Sequence, residues 1–160
     1  MERDEQYMRM ALEEAQKASD MGEIPVGALV VRESGEVLAR THNLCECNRM
    51  PTHHAELLAV EAACKNTDSW RLSDCTVYVT LEPCPMCMGA MIHARVKRIV
   101  FGAFDPRAGA CGSLIDLKEY PLEASPEIEG GILAEACLGE LRGFFENARK
   151  KKQKNNNFQD

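Results

Sequence analysis

Thr76-Val77-Tyr78-Val79-Thr80-Leu81-Glu82-Pro83-Cys84-Pro85-Met86-Cys87 carries a β-branched apolar run directly into a proline-flanked pair of thiols. The run from Thr76 to Leu81 reads as a buried strand. Cys84 to Ala94 then has helical spacing, so the first turn of a short helix holds both cysteines. Upstream, His54-Ala55-Glu56 opens a second helical stretch that starts near His53 or His54 and runs to about Lys65, with Leu57, Leu58, Val60 and Ala62 following. Both motifs fall at helix starts, where open α/β sheets place their ligands. The positive end of a helix dipole also lowers a thiol pKa and favours the thiolate that binds metal.

Two thiols and an imidazole suit Zn²⁺, and three protein ligands leave the fourth tetrahedral position for water. A carboxylate two residues from the histidine supplies a group to move protons. The pattern therefore predicts a zinc hydrolase. Spacing alone leaves both histidines open: His54 gives His-x-Glu and His53 gives His-x-x-Glu. A redox Cys-x-x-Cys of the thioredoxin kind belongs after a first βα turn near the N-terminus, which is not where this pair stands. Half of a structural zinc site needs a second pair, and Cys45 and Cys47 are too tightly spaced to form one. Cys64, Cys75, Cys111 and Cys137 lie in or beside apolar segments and read as core residues. His42 and His93 have no ligand type beside them and read as surface or capping residues. Glu82 reads as a buttress that holds a loop through backbone hydrogen bonds.

The remaining elements follow from periodicity. A helix spans about Asp4 to Asp20, with Asp4 as N-cap and Met21-Gly22 as its close. Ile24 to Val31 and Val37 to Asn43 read as a hairpin around Glu33-Ser34-Gly35-Glu36. Leu44 to Thr52 has no period and reads as a loop. Lys97 to Phe101 is a strand ended by Gly102, and a Gly- and Ala-rich loop follows to about Ser113. Ile132, Leu133, Cys137, Leu141, Phe144, Phe145 and Ala148 mark a final amphipathic helix. This order predicts a three-layer α/β domain with a mixed sheet.

At 160 residues, 45% hydrophobic and 28% charged, the chain has the size and composition of one globular domain. No apolar run approaches the roughly 18 to 20 residues of a membrane span. Met1-Glu2-Arg3-Asp4-Glu5-Gln6 is charged with no apolar core behind it, so the expectation is no signal peptide, a cytoplasmic location and reduced thiols for all 8 cysteines. The net charge of −6 is uneven: Arg149, Lys150, Lys151, Lys152 and Lys154 concentrate positive charge near the C-terminus of an otherwise acidic chain. Such a tail makes either a local phosphate-binding patch or a solvated end. Asn155-Asn156-Asn157 is the one low-complexity stretch.

His54-Ala55-Glu56 with Pro83-Cys84-x-x-Cys87 resembles the signature of the zinc-dependent nucleobase deaminases. The flanking blocks Pro51-Thr52-x-His54-Ala55-Glu56, Tyr78-Val79-Thr80-Leu81-Glu82-Pro83-Cys84, Gly89-Ala90-Met91-Ile92-His93 and Gly109-x-x-Gly112-Ser113-Leu114 are similar to bacterial tRNA-specific adenosine deaminases, a branch of the cytidine/deoxycytidylate deaminase superfamily. Ile24-Pro25-Val26-Gly27 and Glu129-Gly130-Gly131-Ile132-Leu133 match as well, so the resemblance runs from about Glu5 to Lys150.

The resemblance implies a three-layer α/β/α cytidine-deaminase-like fold whose central mixed sheet has about five strands. It implies residues 1–150 as the deaminase domain and 151–160 as a basic, polar tail. It further implies one Zn²⁺ per subunit, a homodimer, and hydrolytic conversion of adenosine to inosine at the wobble position of a tRNA anticodon stem-loop. His54, Cys84 and Cys87 would bind the metal and Glu56 would shuttle protons, which selects His54 over His53. Asn43 would hold the base, Asp105 would lie near the RNA backbone and Phe145 would border the substrate. Ile24 and Val26 read either as a pocket wall or as strand core. Two departures from the family pattern, His53 and Pro106 after Asp105, fall at the rim of the site. A deaminase of a free nucleobase or nucleoside, such as guanine or cytidine, shares the zinc chemistry without an RNA surface. A non-enzymatic zinc module would need a fourth protein ligand, for which His53 and Cys111 are the candidates.

Overall fold

The computed structural model describes residues 2–158. Helix α1 (Glu2–Asp20) precedes a hairpin of β1 (Gly27–Arg32) and β2 (Val37–His42). A short helix α2 (Cys45–Asn48) leads into α3 (Ala55–Thr67), then β3 (Cys75–Leu81), α4 (Pro85–His93) and β4 (Arg98–Ala103). A 3₁₀ turn (Leu117–Glu119), β5 (Glu127–Glu129) and α5 (Ala134–Asn157) complete the chain. The sheet order is β2-β1-β3-β4-β5. β1 pairs antiparallel with both β2 and β3, whereas β3–β4 and β4–β5 are parallel, so the sheet is mixed and five-stranded as expected.

Each face of the sheet has its own core. On one face Ala55, Ala59 and Ala63 of α3 and Met88 and Met91 of α4 pack on Val30, Val77, Val79 and Ile99. On the other, Met8 and Ala11 of α1 and Cys137 of α5 pack on Leu29, Tyr78 and Val100. The alternation of strand side chains between faces produces both sets, which is the α/β/α layering expected from the element order.

Five local expectations need correction. The first helix begins at Glu2, which places Asp4 in the first turn and leaves its carboxylate free for a tertiary role instead of an N-cap. The first strand begins at Gly27, because Pro25 has no N–H to give a ladder. Leu44 to Thr52 contains α2, a single turn closed by Arg49 in the left-handed conformation (φ 53°). The fourth strand passes through Gly102 and ends at Ala103. Gly102 is needed there for close approach: a Cβ would overlap the Cys137 sulfur of α5. The final helix starts at Ala134 and continues through the basic segment to Asn157; Gln159 and Asp160 of the expected tail lie outside the described residues. Among the described residues no helix is long and apolar enough to cross a membrane.

Asp4 ties three elements together. Arg98 of β4 donates two hydrogen bonds to its carboxylate, at 2.7 and 2.8 Å, and the Tyr78 hydroxyl of β3 donates a third at 2.7 Å. Arg98 also pairs with Glu129 of β5. The Arg98 guanidinium is the main cause holding the Asp4 carboxyl below its ordinary 3.8; burial opposes it and the Tyr78 hydroxyl adds to it. A depressed carboxyl contributes stability that is complete above its unfolded-state value and is lost as pH falls through the folded one. Arg98→Ala should therefore cost about 2–3 kcal/mol of unfolding free energy at neutral pH. Urea titrations should show the gap to wild type closing below about pH 4; a gap that widens in acid would contradict this role for Asp4.

Candidate metal and catalytic site

β3 delivers Glu82, Pro83 and Cys84 to the start of α4. Cys84 is the N-cap of that helix with extended backbone (φ −75°, ψ 170°), and Pro85 takes the first helical position, where its missing N–H is harmless. Cys87 is then the third helical residue and is wholly buried. His54 caps α3 with the same extended backbone (φ −68°, ψ 151°), and Glu56 is the second residue of that helix. Neither cap side chain hydrogen-bonds its helix, the ordinary task of Ser, Thr, Asp or Asn at this position. Both positions are given to metal-ligand types instead.

His54 Nδ1 lies 3.6 Å from Cys84 Sγ and 3.5 Å from Cys87 Sγ. The three donor atoms all fall within 4.8 Å of one another. A tetrahedral zinc with ordinary Zn–N and Zn–S bond lengths sets nitrogen and sulfur about 3.6 Å apart. The donor set fits that ion in chemistry and in spacing. Among the described residues no fourth His, Cys, Asp or Glu joins the cluster. His53 instead shares a hydrogen bond of 2.9 Å with the Asn48 amide, and Cys111 sits in a loop that Glu82 organises.

The electrostatics follow from the packing. Hydrogen bonding from the Cys87 thiol, and then from the His54 ring, lowers the Cys84 thiol to about 4. The Cys84 thiolate in turn raises the His54 imidazole and keeps the buried Cys87 thiol up. Glu56 is 4% exposed and stands outside the ligand cluster. Burial pushes its carboxyl up to about 7, where one group both takes and gives protons at neutral pH.

The other expected site residues spread outward from this centre. Asn43 is buried at the end of β2: its backbone N–H donates to Val26 O at 3.0 Å, its amide donates to Ile24 O at 3.4 Å, and its Oδ1 accepts from Cys45 N–H at 3.3 Å. Val26 belongs to the core, whereas Ile24 is 42% exposed. Asp105 follows β4 and turns its own loop by accepting from the N–H groups of Arg107 and Ala108. Phe145 is exposed on α5, stacked edge-on against Phe144 with ring centroids 5.4 Å apart. It belongs to the helical layer opposite α3 and α4. His42 accepts no metal role and meets Glu14 of α1 at 3.2 Å, while His93 is exposed at the end of α4.

Glu82 buttresses a loop through backbone hydrogen bonds as expected, whereas the buried carboxylate of Glu23 was not singled out. Glu82 is 2% exposed and receives hydrogen bonds from three backbone N–H groups and one hydroxyl across the 105–113 loop. Glu23, with no exposed surface, accepts from Cys47 N–H at 2.6 Å and so ties the segment before β1 to α2. The available signal was an acid directly before a proline or an apolar residue at an element boundary, which does not distinguish a buried acceptor from a solvated one.

Residues 1–103 match the family model of the cytidine and deoxycytidylate deaminase zinc-binding region. The tRNA-specific adenosine deaminase of Bacillus subtilis (strain 168) is 48% identical over 154 residues, which cover 96% of this chain and 95% of that protein. A solved structure from studies of A-to-I editing by tRNA:A34 deaminases at the wobble position of transfer RNA superposes with a TM-score of 0.82 at 35% identity, covering 85% of this chain and 99% of the other. The guanine deaminase of Nitrosomonas europaea superposes with a TM-score of 0.75 at 27% identity, over 88% and 83% of the two chains.

The ligand set makes a direct prediction about metal content. Elemental analysis after dialysis should find zinc retained by Glu56→Ala and lost by Cys87→Ala. Loss of zinc from Glu56→Ala at neutral pH would make that carboxylate a ligand.

Proposed function

The chain belongs to the cytidine and deoxycytidylate deaminase family, and on that premise we propose that it hydrolyses adenosine to inosine at the wobble position of a tRNA anticodon. The observation that carries the substrate is the near full-length match, at 48% identity, to a tRNA-specific adenosine deaminase. The guanine deaminase likeness is more distant in sequence and in superposition, which ranks a free-base substrate second.

His54, Cys84 and Cys87 would hold the zinc. Zinc in such a site acidifies water towards a pKa of about 7, which supplies a nucleophile at neutral pH. Glu56 is assigned the proton transfers. Its carboxylate accepts a proton from the attacking water and delivers it to N1 of adenine, which makes C6 electrophilic. Glu56 then takes the proton of the new C6 hydroxyl and passes it to the departing amino group, so water and adenosine become inosine and ammonia. Being outside the ligand cluster leaves Glu56 free to alternate between acid and base. Asn43 is proposed to read the Watson–Crick edge, with Ile24 as the apolar wall beside it. An anticodon loop presents unpaired bases, so taking the adenine out of its stack costs only a few kcal/mol.

Asp105 and Phe145 are assigned to the RNA side of the site, and the domain is taken as residues 1–150 followed by the basic extension. Arg149 and Lys150 at the domain's end and Lys151, Lys152 and Lys154 of the extension are all exposed on the last turns of α5. They offer phosphate contacts in a single run of positive charge. We read the active unit as a cytoplasmic homodimer with one zinc per subunit, a state that native mass spectrometry reads directly.

Mass spectrometry of an anticodon stem-loop bearing wobble adenosine should show inosine with the wild-type enzyme. Glu56→Ala should lose at least about 10³-fold in turnover while it still binds the RNA. An active Glu56→Ala enzyme would remove the carboxylate from the mechanism. Truncation after Asn147 should weaken RNA binding and flatten the slope of log affinity against log salt by about two or more, since each lost phosphate contact removes about 0.7–0.9. An unchanged slope would show that the extension does not touch the RNA.

A further inference from the structure

Glu82 stands between the metal turn and the loop that carries Asp105, and every polar atom of its side chain is committed. Oε1 accepts from Asp105 N–H at 3.2 Å and from the Ser113 hydroxyl. Oε2 accepts from Cys111 N–H at 3.0 Å and from Ser113 N–H at 3.2 Å. The backbone around it joins in: Glu82 N–H donates to Ala103 O at 2.8 Å, and Ala110 N–H donates to Pro83 O at 2.8 Å. All four side-chain partners are donors, so the position needs two acceptor oxygens and nothing else. Gly109 belongs to the same arrangement, because a Cβ there would overlap the Glu82 carboxylate. The loop closes onto the carboxylate only where a side chain is absent.

We propose that Glu82 is a positioning residue, a four-donor clamp that locks the 105–113 loop to the Pro83–Cys84 turn and thereby sets the enzyme's grip on its RNA. The side chain touches neither zinc ligand set nor proton-shuttle carboxylate; it acts through the loop. Without the clamp, three backbone N–H groups near the site lose their acceptor, and the loop around Asp105 has no fixed relation to the metal turn. A residue that merely supported the fold would affect zinc retention or turnover. A clamp on the substrate loop affects KM.

Glu82→Gln is the sharpest perturbation, because it keeps the shape and turns one acceptor into a donor that faces at least one backbone N–H. Hydrogen–deuterium exchange on the zinc-loaded, RNA-free protein should show the amides of Asp105, Cys111 and Ser113 exchanging at least about tenfold faster than in wild type. On the stem-loop substrate KM should rise about tenfold or more, with the larger share of the loss in kcat/KM falling on KM. Zinc content should equal that of wild type. Ser113→Ala should cost less in the Glu82→Gln background than alone, since both remove the same interaction.

Unchanged exchange at these amides would overturn the proposal. So would a loosened loop with KM unaltered, or a loss of activity that tracks loss of zinc. If Glu82→Gln does not fold, Gly109→Ala reads the same clamp from the loop side and must show the same faster exchange and higher KM. The link to RNA rests on the function proposed above. A wild-type enzyme inactive on the stem-loop would contradict that function alone, and the exchange comparison would still decide the clamp.

Discussion

Two helix starts must meet at one point for this site to exist. His54 caps α3 and Cys84 caps α4, and both present extended backbone to the same few ångströms of space. The sheet makes that meeting possible. β3 is central, antiparallel to β1 and parallel to β4, so α4 leaves its end on the same face that α3 covers. Hydrogen bonds from the Cys87 thiol and the His54 ring favour thiolate at Cys84, the form in which a thiol binds zinc. Helix capping, hydrogen bonding and metal chemistry all point to the same residues.

Around that centre the pocket walls hang on buried acids. Glu23 holds α2, whose first residue is also bonded to Asn43, and Glu82 holds the loop of Asp105. Glu82 gathers three backbone N–H groups and Glu23 one, groups that a loop would otherwise leave to water. This lets irregular segments stand at the rim of the site with defined shape, while the regular sheet and helices carry the stability. The charge distribution separates in the same way. Acidic residues outnumber basic ones over the chain, and Arg149, Lys150, Lys151, Lys152 and Lys154 form one run of exposed positive charge on the last turns of α5.

The layering was legible because strand and helix periods differ. Val77 and Val79 against Tyr78 place side chains on alternate faces, whereas on α3 the buried stripe is Ala55, Ala59, Val60 and Ala63, of which only Val60 stood out by hydrophobicity. The metal motif was legible because His-x-Glu and Cys-x-x-Cys each fit one helical turn. What stayed hidden depends on contacts distant in sequence. Asp4 reads as a cap until Arg98, far along the chain, turns out to be its partner. Gly102 reads as a strand end until α5 is packed over it. β5, only Glu127–Glu129, has two charged residues out of three and takes its strand character from pairing with β4. Glu82 reads as a loop buttress, but its four donors lie more than twenty residues away and are identified only by the fold. Spacing left His53 and His54 open and the resemblance selected His54, whose Nδ1 lies beside both thiols.

The most direct measurement is deamination of an anticodon stem-loop in ¹⁸O-enriched water, with the wobble nucleotide and released ammonia quantified together and free guanine, cytidine and adenosine run alongside. The account requires one ¹⁸O in the resulting inosine for each ammonia released, with the other positions of the loop unchanged. An untouched loop beside a consumed free base would contradict it.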